Sequence, residues 1–228
     1  MYDKLKLFIP LLDGVSVVGG CLDEAKEQTN LNTGEVCIFG GLGGLKVSVY
    51  PNGLYFTGSL AKFLYPGNIY PLDRHSTAEA VEKLSDALHV DVGAARVTSL
   101  EFGTHFIMKH PVGAYLSRLG DMPRLMRLPT GADTLYYRAK GKHPAKKLCF
   151  YDKVAEAKVK GETVPGVFDG ANLLRYEMRL DGRLPQQLGV PAVQASTLYE
   201  SDFYRMLVRK WQAYYFSISK NNLKTSSI

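Results

Sequence analysis

Tyr151 and Lys153 stand two apart in the run from Leu148 to Ala157. Read as a strand, that run alternates its side chains, so the phenol and the ammonium share one face while Leu148, Phe150 and Asp152 take the other. A phenol beside an ammonium suits a nucleophile with its charge partner. Ordinary strands carry the same pair, and the chain has 14 tyrosines, so what else reaches that face decides between the two readings. In Asn172–Leu180, Leu174, Tyr176, Met178 and Leu180 alternate with Arg175, Glu177 and Arg179, giving one apolar and one charged side. In Ala95–Phe106, Leu100, Phe102 and Phe106 take the core side and leave Ser99, Glu101, Gly103 and His105 opposite. If the three strands belong to one sheet, a single side collects Glu101, His105, Tyr151, Lys153, Arg175, Glu177 and Arg179.

Those residue types suit phosphoryl chemistry. Two carboxylates, Glu101 and Glu177, can hold a hard cation such as Mg²⁺ or Mn²⁺, which polarises a phosphodiester and stabilises its developing charge. Lysine and arginine neutralise the flanking phosphates. A tyrosine attacking phosphorus forms a covalent phosphotyrosine and so conserves the bond energy for rejoining. His105 lies four residues beyond Glu101, about 13 Å along an ideal strand. Both can ligate one ion only if the backbone bulges, and Gly103 is where a bulge would sit; hydrogen bonding at a strand end is the alternative for His105. A solvated sheet face laced with weak ion pairs is the alternative for Arg175, Glu177 and Arg179. Cys149 shares the Tyr151 face but has no adjacent helix N-terminus or base to activate it, which argues against a thiol enzyme.

The elements that must position these groups follow from periodicity and punctuation. Leu5–Ile9, Gly34–Phe39 and Leu45–Tyr50 read as short strands, and Gly53–Tyr65 as a further strand or bent strand. Gly40–Gly44 reads as a hairpin loop, since it lacks the Lys-Ser/Thr of a phosphate loop and leads into a strand. Ser76–Val90 reads as a helix with Ser76 and Glu79 at capping-box spacing, and Pro111–Leu119 as a short helix. Strands follow at Thr134–Ala139, Lys146–Lys153 and Asn172–Leu180, the last two joined by a polar connection, Lys158–Gly170. After a turn around Pro185 and Gly189, a long helix begins near Thr197 and buries Phe203, Leu207, Trp211, Tyr214 and Ile218; the tail from Lys220 to Ile228 is polar and frayed. The order predicts an α+β fold, a mainly antiparallel sheet with helices on one face and the other face open. It is read as a single domain: N-terminal strands over 1–52, a catalytic core over 53–219 and the tail over 220–228.

The chain has 228 residues, 46% of them hydrophobic, enough to bury a sizeable core. Its 28 basic against 22 acidic residues give a net charge of +6, which favours polyanionic partners. Three widely spaced cysteines fit neither a disulfide framework nor a zinc site and suggest a reducing cytosol. The apolar run Leu7–Leu12 is too short for a signal peptide or a membrane span. The expectation is a cytoplasmic protein without membrane contact; oligomeric state is not legible.

At the residues singled out above, the chain resembles the filamentous-phage gene II and gene X replication endonucleases and their plasmid relatives, which initiate rolling-circle replication. The likeness runs from Met1 to about Val190. Its blocks are Ser59–Leu64 with Gly67 and Asn68, then Val97–Glu101, then Phe150–Lys153, then Leu174–Arg179. Their order and spacing together carry the likeness. The resemblance implies that Tyr151 is the nicking nucleophile with Lys153 as its matching lysine, that Glu101 and Glu177 are metal ligands, and that Lys62, Asn68, Arg175 and Arg179 contact DNA. Ser99 stands where relatives usually carry arginine and Glu101 where aspartate is usual, which bears on the phosphate contacts at that strand. The resemblance further implies an RRM-like nuclease core, single-stranded or supercoiled origin DNA as substrate, and a host helicase and polymerase as partners. The chain stops short of the full-length phage protein, which would place origin recognition or helicase loading by a C-terminal part outside it. A non-catalytic binder of single-stranded nucleic acid, stacking bases on an open sheet, is the competing expectation. A tyrosine recombinase lacks support, because no spaced set of arginines, His-x-x-Arg and tyrosine is present.

Overall fold

The computed structural model describes residues 1–10, 20–65, 67–142 and 144–221. In chain order the elements are β1 (Tyr2–Ile9), β2 (Asp23–Thr29), β3 (Val36–Leu42), β4 (Leu45–Tyr50), β5 (Gly53–Ser59), α1 (Leu60–Leu64), α2 (Arg74–Leu88), β6 (Arg96–Met108), α3 (Val112–Leu116), β7 (Met126–Pro129), β8 (Thr134–Arg138), β9 (Lys146–Asp152), α4 (Lys153–Val159), β10 (Asn172–Asp181), α5 (Leu184–Leu188) and α6 (Ser201–Phe216). The architecture is α+β and its sheet antiparallel, as the order of elements predicts. Two compact units are present, one built from residues up to Glu101 together with Asp181–Arg205, the other from Phe102–Leu180 together with residues from Met206 onward.

In the first unit the strands run β2-β3-β4-β5-β1-β6. β4 shows why: Leu45, Val47 and Val49 are buried and alternate with Lys46, Ser48 and Tyr50, so one face enters the core. β5 pairs with β1, Leu7 opposite Phe56. The stretch after β5 is not the continuous strand that Gly53–Tyr65 predicts. Ser59 ends it by accepting the Lys62 backbone N–H on its hydroxyl at 3.2 Å and starting α1. α2 buries Ala80, Val81, Leu84 and Leu88 of the helical repeat Ala80, Val81, Leu84, Ala87 and Leu88, and leaves Ala87 half-buried. Its cap is Asp73 rather than Ser76: Asp73 accepts from the Ser76 backbone, and the Ser76 side chain closes the box from the third helical position.

In the second unit the order is β6-β10-β9-β8-β7. Phe150 on β9 stacks on Tyr176 of β10 at 4.3 Å between centroids, and Tyr176 stacks in turn on Trp211 of α6 at 4.7 Å. The Tyr176 hydroxyl donates to the Trp211 carbonyl at 2.9 Å, so the buried phenol is satisfied. α6 begins at Ser201, after a short 3₁₀ turn over Ser196–Tyr199 that takes the place of the predicted helix start at Thr197. Two further differences concern the site. β9 stops at Asp152, and Lys153 opens α4 instead of extending the strand, so the connection from Lys158 begins as helix. The face bearing Tyr151 is not open to solvent: Arg175, Glu177, Lys153 and Tyr151 are 0, 1, 1 and 9% exposed. Among the described residues no helix is long and apolar enough to cross a membrane. The frayed tail expected over 220–228 lies, from residue 222, outside the described residues.

Candidate active site

β9 and β10 pair antiparallel with Tyr151 directly opposite Arg175 and Cys149 opposite Glu177. Cross-strand partners and their diagonals come within side-chain reach, so this register builds a polar cluster on the face turned away from Phe150 and Tyr176. The Tyr151 hydroxyl donates to Glu177 Oε1 at 2.9 Å. The same carboxylate accepts from Arg175 Nε, and its Oε2 accepts from Arg179 Nε at 3.0 Å and Nη2 at 2.7 Å. Burial alone would raise the Glu177 carboxyl, but the Arg175 and Arg179 guanidiniums and the Tyr151 hydroxyl outweigh it and hold it down to about 2. The Tyr151 phenol is pushed well above the usual range, first by burial and then by the Glu177 charge. It is therefore protonated at neutral pH, and only added positive charge or loss of its proton to Glu177 would make it a nucleophile.

His105 joins the cluster from β6: Arg175 Nη1 lies 3.1 and 3.2 Å from its two ring nitrogens. Burial, then the charges of Arg175 and Lys153, lower the imidazole to about 3, so the ring is neutral. Lys153 is set by its helix rather than by strand parity. Asp152 caps α4, accepting from the Val154 and Ala155 backbone N–H groups at 2.9 and 3.0 Å. Lys153 then meets Glu156 at 2.7 Å and Glu162 at 3.9 Å. The second unit thus brings together Tyr151, Arg175, Glu177, Arg179 and His105, with Lys153 close enough for its charge to be felt at the ring.

Glu101 is half-buried at the end of the first unit's share of β6, and one of its carboxylate oxygens lies within 4.8 Å of one from Asp3 on β1. Asp3 is only 4% exposed, accepting from Ser59 Oγ at 2.5 Å and from Asn68 Nδ2 at 3.0 Å. Asn68 is therefore bound to an acid, whereas Lys62 stands exposed on α1. Asp3 escaped the sequence reading, although a signal was present: it falls in phase with Leu5, Leu7 and Ile9, the buried side of its strand. A carboxylate in that phase needs partners.

The family model for the N-terminal domain of the gene II replication-associated protein matches residues 1–202. This chain belongs to that family. No curated protein sequence matches it. Among solved structures, a rolling-circle replication initiator protein from Geobacillus stearothermophilus aligns over 100% of this chain and 88% of its own, with 11% identity and a TM-score of 0.48. The di-domain ARO/CYC protein BexL of the BE-7585A biosynthetic pathway aligns over 83% and 74%, with 9% identity and a TM-score of 0.30. Likenesses of that order say nothing of activity. Membership in the gene II N-terminal family makes the chain a replication-associated protein. The oxygen donors of Asp3 and Glu101, two acids paired at close range in the first unit, have the chemistry a hard divalent cation requires.

Proposed function

We propose that this gene II-type domain initiates rolling-circle replication by nicking one strand of origin DNA through Tyr151. The observation that carries the reading is the Tyr151 hydroxyl seated on the Glu177 carboxylate between two arginines, in a chain of a replication-associated family. The Tyr151 oxygen attacks the phosphorus of a single-stranded or extruded phosphodiester. The bond from phosphorus to the 3′ oxygen breaks, leaving a 5′-phosphotyrosine and a 3′-OH that primes synthesis. The phenolic proton passes to Glu177 Oε1, its existing acceptor at 2.9 Å, which relays it through water to the departing 3′ oxygen, so the proton lost by the phenol ends on the 3′-OH. Arg175 and Lys153 offset the charge on the phosphate. Asp3 and Glu101 are the residues that would hold Mg²⁺ or Mn²⁺. When bound, the cation supplies Lewis-acid polarisation of the phosphodiester. Arg179, a third exposed, and Lys62, exposed on α1, would contact the DNA backbone.

The burial of Tyr151 and Arg175 favours a second reading, a binder of single-stranded DNA in which the polar cluster is structural. One experiment separates them. With origin-containing DNA and Mg²⁺ or Mn²⁺, the wild-type protein is expected to form an adduct that survives denaturing electrophoresis, and Tyr151→Phe none. A full yield of adduct from Tyr151→Phe removes the proposed nucleophile, and no adduct from the wild type, under conditions where it binds the DNA, favours the binder.

A further inference from the structure

The second unit carries a feature that the Tyr151 chemistry does not use, on the reverse of the same strands. β10 turns Arg175 and Glu177 to one side and Leu174 and Tyr176 to the other. On that other side lies a pocket of about 310 Å³ walled by Phe106, Phe150, Tyr176, Trp211, Tyr215 and Phe216. Its rings form a continuous series: Phe150 on Tyr176, Tyr176 on Trp211, and Trp211 parallel to Phe106 within 7° at 6.1 Å. Three of its walls stand in water, with Phe216 75%, Phe106 42% and Tyr215 37% exposed. Exposed aromatic surface grouped around a concavity marks a binding site more often than scattered apolar residues do.

Basic side chains stand beside it. Residues 102–110, 145–151 and 206–221, which supply most of these walls, contain no aspartate or glutamate. Lys220 lies over the Tyr215 ring at 4.3 Å, and Lys146 over the neighbouring Tyr214 ring at 4.4 Å. Flat apolar walls with Lys146 and Lys220 beside them complement a ligand that is flat, apolar and polyanionic at once. Single-stranded DNA has those properties, whereas a duplex keeps its bases stacked inside. A second copy of the chain would bring the same lysines face to face in a symmetric contact. We infer that this pocket receives an unstacked base of single-stranded DNA, with Lys146 and Lys220 on the adjoining phosphates, as a contact separate from the Tyr151 face. The inference rests on the proposed function for the identity of the partner.

Trp211 is the only tryptophan in the chain, so its emission reports on this pocket. In chelator, to suspend any cleavage, a ten-residue oligothymidylate is titrated into the full chain while anisotropy of a labelled oligomer records total binding. Expected are saturable quenching of Trp211 that follows the anisotropy, loss of that quenching with an abasic oligomer of equal length, and about tenfold weaker binding by Phe216→Ala, the scale of one base stacked on one ring. Phe216 projects into solvent, so its removal leaves the fold intact. Binding by anisotropy with unchanged Trp211 emission, or with undiminished affinity in Phe216→Ala, overturns the pocket and leaves the proposed function standing. Absence of any binding to the oligomer likewise overturns the pocket, while the adduct assay on origin DNA decides the proposed function. A change in Trp211 emission that grows with protein concentration in the absence of DNA assigns the pocket to self-association and also overturns the inference.

Discussion

His105 and Glu177 sit in one cluster, and both are shifted downward, for different reasons. The His105 ring is held neutral by burial and by the charges of Arg175 and Lys153, at about 3 against an ordinary 6.5. Glu177 is held ionised by its two arginines, at about 2 against 4.5. The signs agree. Below pH 6.5 the unfolded chain takes up a proton at His105 that the folded one refuses, and below 4.5 it takes up another at Glu177, so acid removes stability in two stages. In chelator, the urea midpoint of the wild type is expected to fall as pH drops from 6.5 to 4.5, by a stability loss on the order of 2 kcal/mol after allowance for the partial exposure of the ring. His105→Gln should flatten that stage and keep the steeper loss below it. An unchanged slope in His105→Gln would mean that the ring is charged in the folded protein.

At the scale of elements, the approach of β6 to β10 decides where Glu177 lies. Gly103 is the point of contact: a Cβ there would run into the Tyr176 carbonyl oxygen and come within 2.8 Å of the Glu177 Cα. Both are backbone atoms, so neither can swing aside. Gly103→Ala is expected to cost about 2 to 3 kcal/mol in urea unfolding, while Gly67→Ala, with open space around it, should stay within about 0.5 kcal/mol of wild type. Equal stability of the two variants would show that the strands can separate without penalty. Strand parity made much of this legible beforehand, because β10 alternates apolar with charged residues and β9 sets Leu148 and Phe150 against Cys149 and Tyr151. It could not show that the polar side is covered, since alternation sorts residues between faces without saying what packs on either. Lys153 was misplaced because the alternation of Leu148, Phe150 and Asp152 hid the competing role of Asp152 as a helix cap. β2 went unread for the opposite reason: all seven of its residues are exposed, so it offers no apolar signal. The meeting of Tyr151 with Glu177 depends on cross-strand register, which a single strand's sequence does not contain.

Across the molecule as a whole, a net charge of +6 coexists with a pair of acids held at close range, and the two facts bear differently on stability. Excess basic charge is spread over the surface and is screened by salt. Asp3 and Glu101 are fixed with carboxylate oxygens within 4.8 Å of each other, Asp3 almost without solvent, so they offer a cation two oxygen donors already in place. A divalent ion bound there only by the folded chain should stabilise it. At a hundredfold excess over its Kd it contributes about 2.7 kcal/mol, a rise of roughly 5–11 °C in the unfolding temperature for a chain of this length. Asp3→Asn is the discriminating variant, because its amide oxygen can still accept from Ser59 and its NH2 can donate to Asn68 once that amide turns over, while one of the two charges is removed. Scanning calorimetry is expected to show Asp3→Asn at least as stable as wild type in chelator and nearly indifferent to Mn²⁺. A variant that instead melts far below wild type in chelator, yet gains as much from Mn²⁺, would place the cation elsewhere and make Asp3 a structural acid.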